Sequence, residues 1–183
     1  LEVLEDRTLL AVSLLEGLDA AGNGTWERFA ATSAAQEPAH GQVFFLDLRG
    51  ASDVHYDGPV VAEIDVPAFS APEMLTGQEG DIVDALLATL RDAFAGSEVV
   101  FALHAPTEGE YSTVYIGGDG SEFAQWGRYY GLSEKVDTSN LDRSDKAFIF
   151  SENISALGLT AAQYGESLAG YVAHEVGHRV RAL

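Results

Sequence analysis

The sequence has no cysteine and few basic residues. It contains 10 lysines and arginines against 29 aspartates and glutamates, which gives a net charge of −19 at pH 7. Without cysteine the chain can form neither disulfides nor thiolate metal sites, so any metal ligand must come from histidine, aspartate or glutamate. The negative charge would repel phosphate backbones and anionic lipid surfaces. We therefore expect no nucleic-acid partner.

Long apolar runs are also missing, and no stretch approaches the length of a transmembrane span. We therefore expect no membrane insertion. The 183 residues are 46% hydrophobic and 10% aromatic, which is typical of one globular domain with a real core. Residues 14–41 are rich in alanine, glycine, serine and threonine, so residues 1–41 are interpreted as an N-terminal segment with a flexible connection, and residues 42–183 as the folded domain.

Apolar patterns in the folded domain predict strands and helices. Dense or alternating apolar residues predict strands over 43–48, 60–66, 99–104, 111–116 and 146–150. Apolar positions at helical spacing predict one helix over 81–95 and another from Tyr164 onward. The strand that follows the first helix favours a parallel crossover. We expect an α+β fold with an α/β-like upper half, in which a mixed, twisted sheet packs on two main helices.

The C-terminal helix carries the residues that suggest chemistry, His174-Glu175-Val176-Gly177-His178. A spacing of four residues turns a helix through about 400°, so both imidazoles project from one face within reach of one ion. Glu175 lies beside that face, which suits a carboxylate that takes a proton from metal-bound water without ligating the metal. The pattern predicts zinc ligands at His174 and His178 and a general base at Glu175.

A chance match on an amphipathic helix is the alternative interpretation of these five residues. The surrounding sequence argues against chance, because Thr160 and Gln163 form a T-x-x-Q capping box ahead of the helix. Apolar residues then recur at helical spacing at Tyr164, Leu168, Tyr171, Val172 and Val176. A zinc-type site is therefore favoured over an ordinary amphipathic helix.

Three other polar groups have weaker metal patterns. His55, with acidic neighbours between Ser52 and Pro59, fits a metal cluster but is more typical of a solvated turn. His104 follows a strand, where a lone histidine is usually only hydrogen-bonded. The acidic stretch from Glu134 to Asp145 could hold Ca²⁺, although it lacks EF-hand spacing and a hydrated turn is the commoner outcome.

The order of elements resembles a metzincin. Residues 111–119, 145–154 and 173–178 are together similar to bacterial, matrixin-like zinc metalloproteases, over roughly residues 43–178. The resemblance implies a zincin-like catalytic domain, of which only the upper subdomain is present. It also implies hydrolysis of protein or peptide bonds by zinc-activated water, and an edge strand that pairs with extended substrate. We expect that strand among residues 111–116 or nearby.

The family motif continues as HExxHxxGxxH, and here the chain departs from it. Arg181 occupies the glycine position, and the third histidine would fall at position 184, beyond the last residue. A catalytic zinc usually has three protein ligands, so we expect this truncated form to bind zinc weakly and to be weak or inactive as a protease. The alternative function is a catalytically inactive surface or adhesion module on the same scaffold.

The N-terminus adds an expectation about location. Residues 1–11 resemble the LEPR-XLL-type segment of exported, planctomycete-like bacterial proteins, with Val3 in place of the consensus proline. The resemblance implies that residues 1–41 are export-associated. It predicts a secreted or cell-surface protein.

Overall fold

A computed structural model describes residues 41–57, 63–134 and 142–177 of the chain. Within these ranges the strands are β1 (Val43–Asp47), β2 (Ala51–His55), β3 (Glu63–Val66), β4 (Val100–Ala102), β5 (Ser112–Ile116), β6 (Gly131–Ser133) and β7 (Lys146–Ile149). The two α-helices of the described ranges are α1 (Glu79–Ala93) and α2 (Ala161–Gly177). Short 3-10 helices lie at Glu73–Leu75, Ser121–Phe123 and Ser151–Asn153.

Five of the strands form one mixed sheet in the order β4-β1-β5-β7-β6. Strand β1 pairs in parallel with β4 and β5, and β5 pairs in parallel with β7. Strand β6 is antiparallel to β7 and forms one edge of the sheet. The prediction of a mixed sheet on two helices is confirmed at this level. The prediction of an edge strand at 111–116 is wrong, because β5 has a hydrogen-bonded neighbour on each side.

Apolar side chains pack on both faces of the sheet. On one face, α1 and α2 cover buried residues from the three central strands, namely Phe44, Leu46, Val114, Ile116, Ala147 and Ile149. On the other face, the β2–β3 hairpin covers a smaller cluster that includes Phe148, Phe123 and Tyr56. Burial on both faces explains why β1 and β7 are nearly continuous apolar runs rather than alternating ones.

The β2–β3 hairpin differs from the predicted solvated turn at 52–59. Residues 51–55 form strand β2, which pairs antiparallel with β3 across a register shift between Ala51 and Val54. Asp53 lies in that irregularity with φ of 53°, and its N–H donates to Asp65 Oδ1 at 2.8 Å. The polar composition suggested a turn because Val54 is the only buried side chain of this short strand. Residues 60–62 of the predicted strand 60–66 lie outside the described ranges.

Both predicted helices form. Helix α1 buries Ile82, Leu86 and Leu90 completely, as its apolar stripe predicts. Helix α2 buries all five of its predicted apolar positions, Tyr164, Leu168, Tyr171, Val172 and Val176. Neither helix, over its described residues, is long and apolar enough to cross a membrane.

Candidate active site

The start of helix α2 is set by the predicted capping box. The backbone N–H of Thr160 donates to Gln163 Oε1 at 3.0 Å, and the backbone N–H of Gln163 donates to Thr160 Oγ1 at 3.3 Å. These two bonds satisfy donors that would otherwise have no partner in the first turn. They fix where the helix begins, and therefore where His174 and Glu175 lie about four turns later.

Close contact with α1 holds α2 beneath the sheet. At Gly165 the two helices approach so closely that a Cβ atom would lie 2.4 Å from the carbonyl oxygen of Ile82. One residue earlier, the buried Tyr164 hydroxyl donates to the carbonyl oxygen of Ser151 at 2.9 Å. Burial, followed by the charge of Glu152, raises the pKa of Tyr164 to about 12. The phenol therefore stays neutral and keeps this hydrogen bond near pH 7.

The first two residues of the HExxH motif are buried in the last described turns of α2. His174 is 9% exposed and Glu175 is 8% exposed. His178 lies outside the described residues, so nothing is said of its position. The structure thus places one predicted zinc ligand and the predicted general base side by side on a rigid helix.

The Glu175 carboxylate lies against edge strand β6. Ser133 Oγ donates to Glu175 Oε2 at 2.6 Å, a distance typical of a hydroxyl bonded to an ionised carboxylate. The other oxygen, Oε1, faces Gly131, where a Cβ atom would lie only 2.6 Å away. The carboxylate is therefore bonded by one strand residue and has room because another lacks a side chain.

Aromatic residues line the same helix face one turn earlier. Tyr171, four residues before Glu175, stacks on Tyr130 with ring centroids 5.5 Å apart and planes inclined by 13°. Burial, and then the neighbouring Tyr130, raises the pKa of Tyr171 to about 12. Arg128 lies over the Tyr130 ring, with its guanidinium carbon 6.0 Å from the ring centroid. Tyr130, the residue before Gly131, therefore contacts both Tyr171 of α2 and the Arg128 side chain.

Strand β6 is firmly attached to the sheet on its inner side. Beyond the paired residues, the N–H of Glu134 donates to the carbonyl of Lys146 at 3.1 Å, and the N–H of Phe150 donates to the carbonyl of Tyr130 at 2.9 Å. Across residues 41–57, 63–134 and 142–177, no strand pairs with its outer side. Glu175 therefore lies beside an edge strand, and the outer backbone groups of that strand point away from β7.

The other predicted metal residues do not join this group. His104 is exposed and follows β4 at the opposite edge of the sheet, four strand spacings or about 19 Å from β6. Among the described residues there is no group of three histidine or acidic side chains that could hold a metal ion. With His178 outside the described residues, zinc binding stays a prediction.

The acidic stretch predicted as a Ca²⁺ loop is described only at its two ends. The buried Glu134 carboxylate accepts from Lys146 Nζ at 3.2 Å and from the backbone N–H of Asp57 at 3.1 Å. Asp145 Oδ1 accepts from Ser112 Oγ at 2.6 Å. The oxygens at these ends therefore contact protein donors. Residues 135–141 lie outside the described ranges, so calcium also stays a prediction.

Ser133 and Gly131 are the site residues that sequence reasoning missed. They belong to a strand of three residues, too short to show the alternation that identifies longer strands. Their partner Glu175 is more than 40 residues away along the chain. The one local signal is the run Gly131-Leu132-Ser133, in which an apolar residue lies between two small ones. Three residues are too few for that signal to identify a strand.

Comparison with protein-family models, with curated proteins and with solved structures found no significant match for this chain.

Proposed function

We propose that this protein is a secreted, zinc-dependent metalloendopeptidase with a zincin-like catalytic domain. One observation carries the proposal: the last described turn of the helix that carries His174 and Glu175 lies against an antiparallel edge strand, with the Glu175 carboxylate 2.6 Å from a hydroxyl of that strand. This arrangement brings a candidate base to the place where an extended peptide could add to the sheet. The proposed secretion rests on the N-terminal resemblance, in residues outside the described ranges.

The proposed chemistry divides between the helix and the strand. His174 and His178 would hold the zinc ion, which when bound supplies a Lewis acid that lowers the pKa of water and polarises a carbonyl. The Glu175 carboxylate, which accepts from Ser133 at Oε2, would take a proton from the attacking water. It would then give the proton to the leaving amine nitrogen. The outer backbone groups of β6 would align the peptide.

The test compares the purified chain with Glu175→Gln on a fluorogenic peptide, with zinc added and with zinc removed by a chelator. A general base contributes about 10²- to 10⁴-fold, so we expect the glutamine variant to lose that factor. Glu166→Gln is the matched control, because it removes a carboxylate from the same helix two turns away. Zinc binding, measured by calorimetry, should fall in His174→Ala but not in Glu166→Gln.

Hydrolysis at the same measurable rate by the parent and Glu175→Gln would contradict the proposal. If zinc neither binds nor promotes any hydrolysis that depends on Glu175, the alternative function is favoured, a catalytically inactive surface or adhesion module. A circular dichroism spectrum like that of the parent would show that the variant had not simply unfolded.

A further inference from the structure

Strand alternation places Gly131 and Ser133 on one side of β6 and Leu132 on the other. Gly131 and Ser133 both contact Glu175 of α2, whereas Leu132 packs in the cluster beneath the hairpin. The β6–β7 pairing fixes this choice, with Leu132 opposite Phe148 and Ser133 opposite Ala147. A slip of one residue would turn Leu132 toward Glu175 and remove both contacts.

The contact from Ser133 is specific in its direction. An ionised carboxylate has no proton to donate, so the Ser133 hydroxyl must donate to Glu175 Oε2. The distance to the Glu175 backbone oxygen is 3.4 Å against 2.6 Å to Oε2, so the carboxylate is the main acceptor. This short bond on Oε2 restricts rotation of the carboxylate.

Gly131 complements this bond from the other side of the carboxylate. A Cβ atom there would lie 2.6 Å from Oε1 and 3.1 Å from both the Cδ and Cγ atoms of Glu175. Gly131 does not have a positive φ, so its role concerns space and not backbone conformation. Any side chain at position 131 would displace the carboxylate from its position beside Ser133.

We propose that Ser133 is a positioning residue for the Glu175 carboxylate, and that Gly131 provides the space in which Ser133 holds it. The inference rests on the proposed function for its catalytic meaning, because the Ser133 hydroxyl acts through Glu175. The contact itself can be tested whether or not the chain hydrolyses peptides. Both residues lie on an anchored strand, which is the kind of support that a catalytic group requires.

The first experiment reads the carboxylate directly in the metal-free protein. The ¹³C resonance of the Glu175 side-chain carboxyl is assigned by its loss in Glu175→Gln. We expect Ser133→Ala and Gly131→Ala to shift this resonance and Ser133→Thr, which keeps the hydroxyl, to restore it. Ser167→Ala is the control, since it removes a hydroxyl that bonds a backbone carbonyl elsewhere on α2. An unchanged resonance in both Ser133→Ala and Gly131→Ala would overturn the proposal.

The second experiment measures peptide hydrolysis by the same variants in the presence of zinc. Loss of a hydrogen bond to a charged group should lower kcat about 10-fold in Ser133→Ala with KM unchanged, and Ser133→Thr should recover most of it. A change confined to KM, or an equal loss in Ser167→Ala, would refute a positioning role. If Glu175→Gln hydrolyses the peptide as fast as the parent, the proposed function fails. The carboxyl resonance then still shows whether Ser133 and Gly131 position the Glu175 carboxylate.

Discussion

The close contact between α1 and α2 at Gly165 predicts that a larger residue there destabilises the protein. The distances in the structure set the magnitude of that effect. Replacing Gly165 with alanine places a Cβ atom 2.4 Å from the carbonyl oxygen of Ile82, which is about 1 Å inside an ordinary van der Waals contact. The same atom would lie 2.8 Å from the Ala85 Cβ and 3.1 Å from the Leu86 nitrogen. Two of these three atoms belong to the α1 backbone, so rotation of a side chain cannot relieve the overlap. The helices must move apart.

Two opposing terms set the expected magnitude. Alanine in place of glycine inside a helix gains about 1 kcal/mol from helix propensity. Overpacking a close contact typically costs about 1–3 kcal/mol, and a clash with backbone belongs at the upper end of that range. We therefore expect Gly165→Ala to lower the free energy of unfolding by about 2 kcal/mol. For a chain of this size that corresponds to a melting temperature lower by roughly 4–8 °C.

Gly80→Ala is the matched control for this prediction. Gly80 lies in the first turn of α1, and nothing is within 4 Å of where its Cβ would be. The substitution should therefore stabilise the protein by about 0.5–1 kcal/mol, because only the propensity term applies. Urea unfolding followed by circular dichroism at 222 nm would measure both variants. If Gly165→Ala gains as much stability as Gly80→Ala, the close approach of α1 and α2 at this residue is wrong.

Two further predictions concern the start of helix α2 and its buried tyrosines. Thr160→Ala should lower the free energy of unfolding by about 1 kcal/mol in urea titrations, because it removes the capping oxygen. Thr160→Ser keeps the hydroxyl and should keep most of that stability. An equal loss in both variants would contradict the capping role of Thr160. Tyr164 and Tyr171 have folded pKa values of about 12, above the usual value near 10. The folded state holds these two phenol protons more tightly than the unfolded state. The stability that they contribute is therefore fully present below about pH 10 and is lost as the pH rises from about 10 through 12. Absorbance at 295 nm should show them ionising last or only on unfolding, and Tyr171→Phe should remove one such late transition. Ionisation of all tyrosines near pH 10 in the folded protein would refute their burial.

Much of the architecture follows from local patterns in the sequence. The apolar runs at β1, β5 and β7 and the stripes of α1 and α2 are confirmed, because residues buried on two faces or along one helical stripe must be apolar wherever they pack. The capping box at Thr160 and Gln163 is confirmed for the same reason. Both of its hydrogen bonds join residues three apart, so no distant part of the chain is needed to form it.

Only the tertiary structure decided which strand forms the edge and what contacts Glu175. Strand order depends on pairings between residues far apart along the chain, so the pattern of β5 reports its burial but not its neighbours. Strand β6 has too few residues for a period to appear, and strand β2 buries only Val54, so both are defined by the strands they pair with. The HExxH spacing predicts where two imidazoles and a carboxylate lie on one helix. The packing of the helix on the sheet decides that this carboxylate contacts Ser133, in the space that Gly131 leaves.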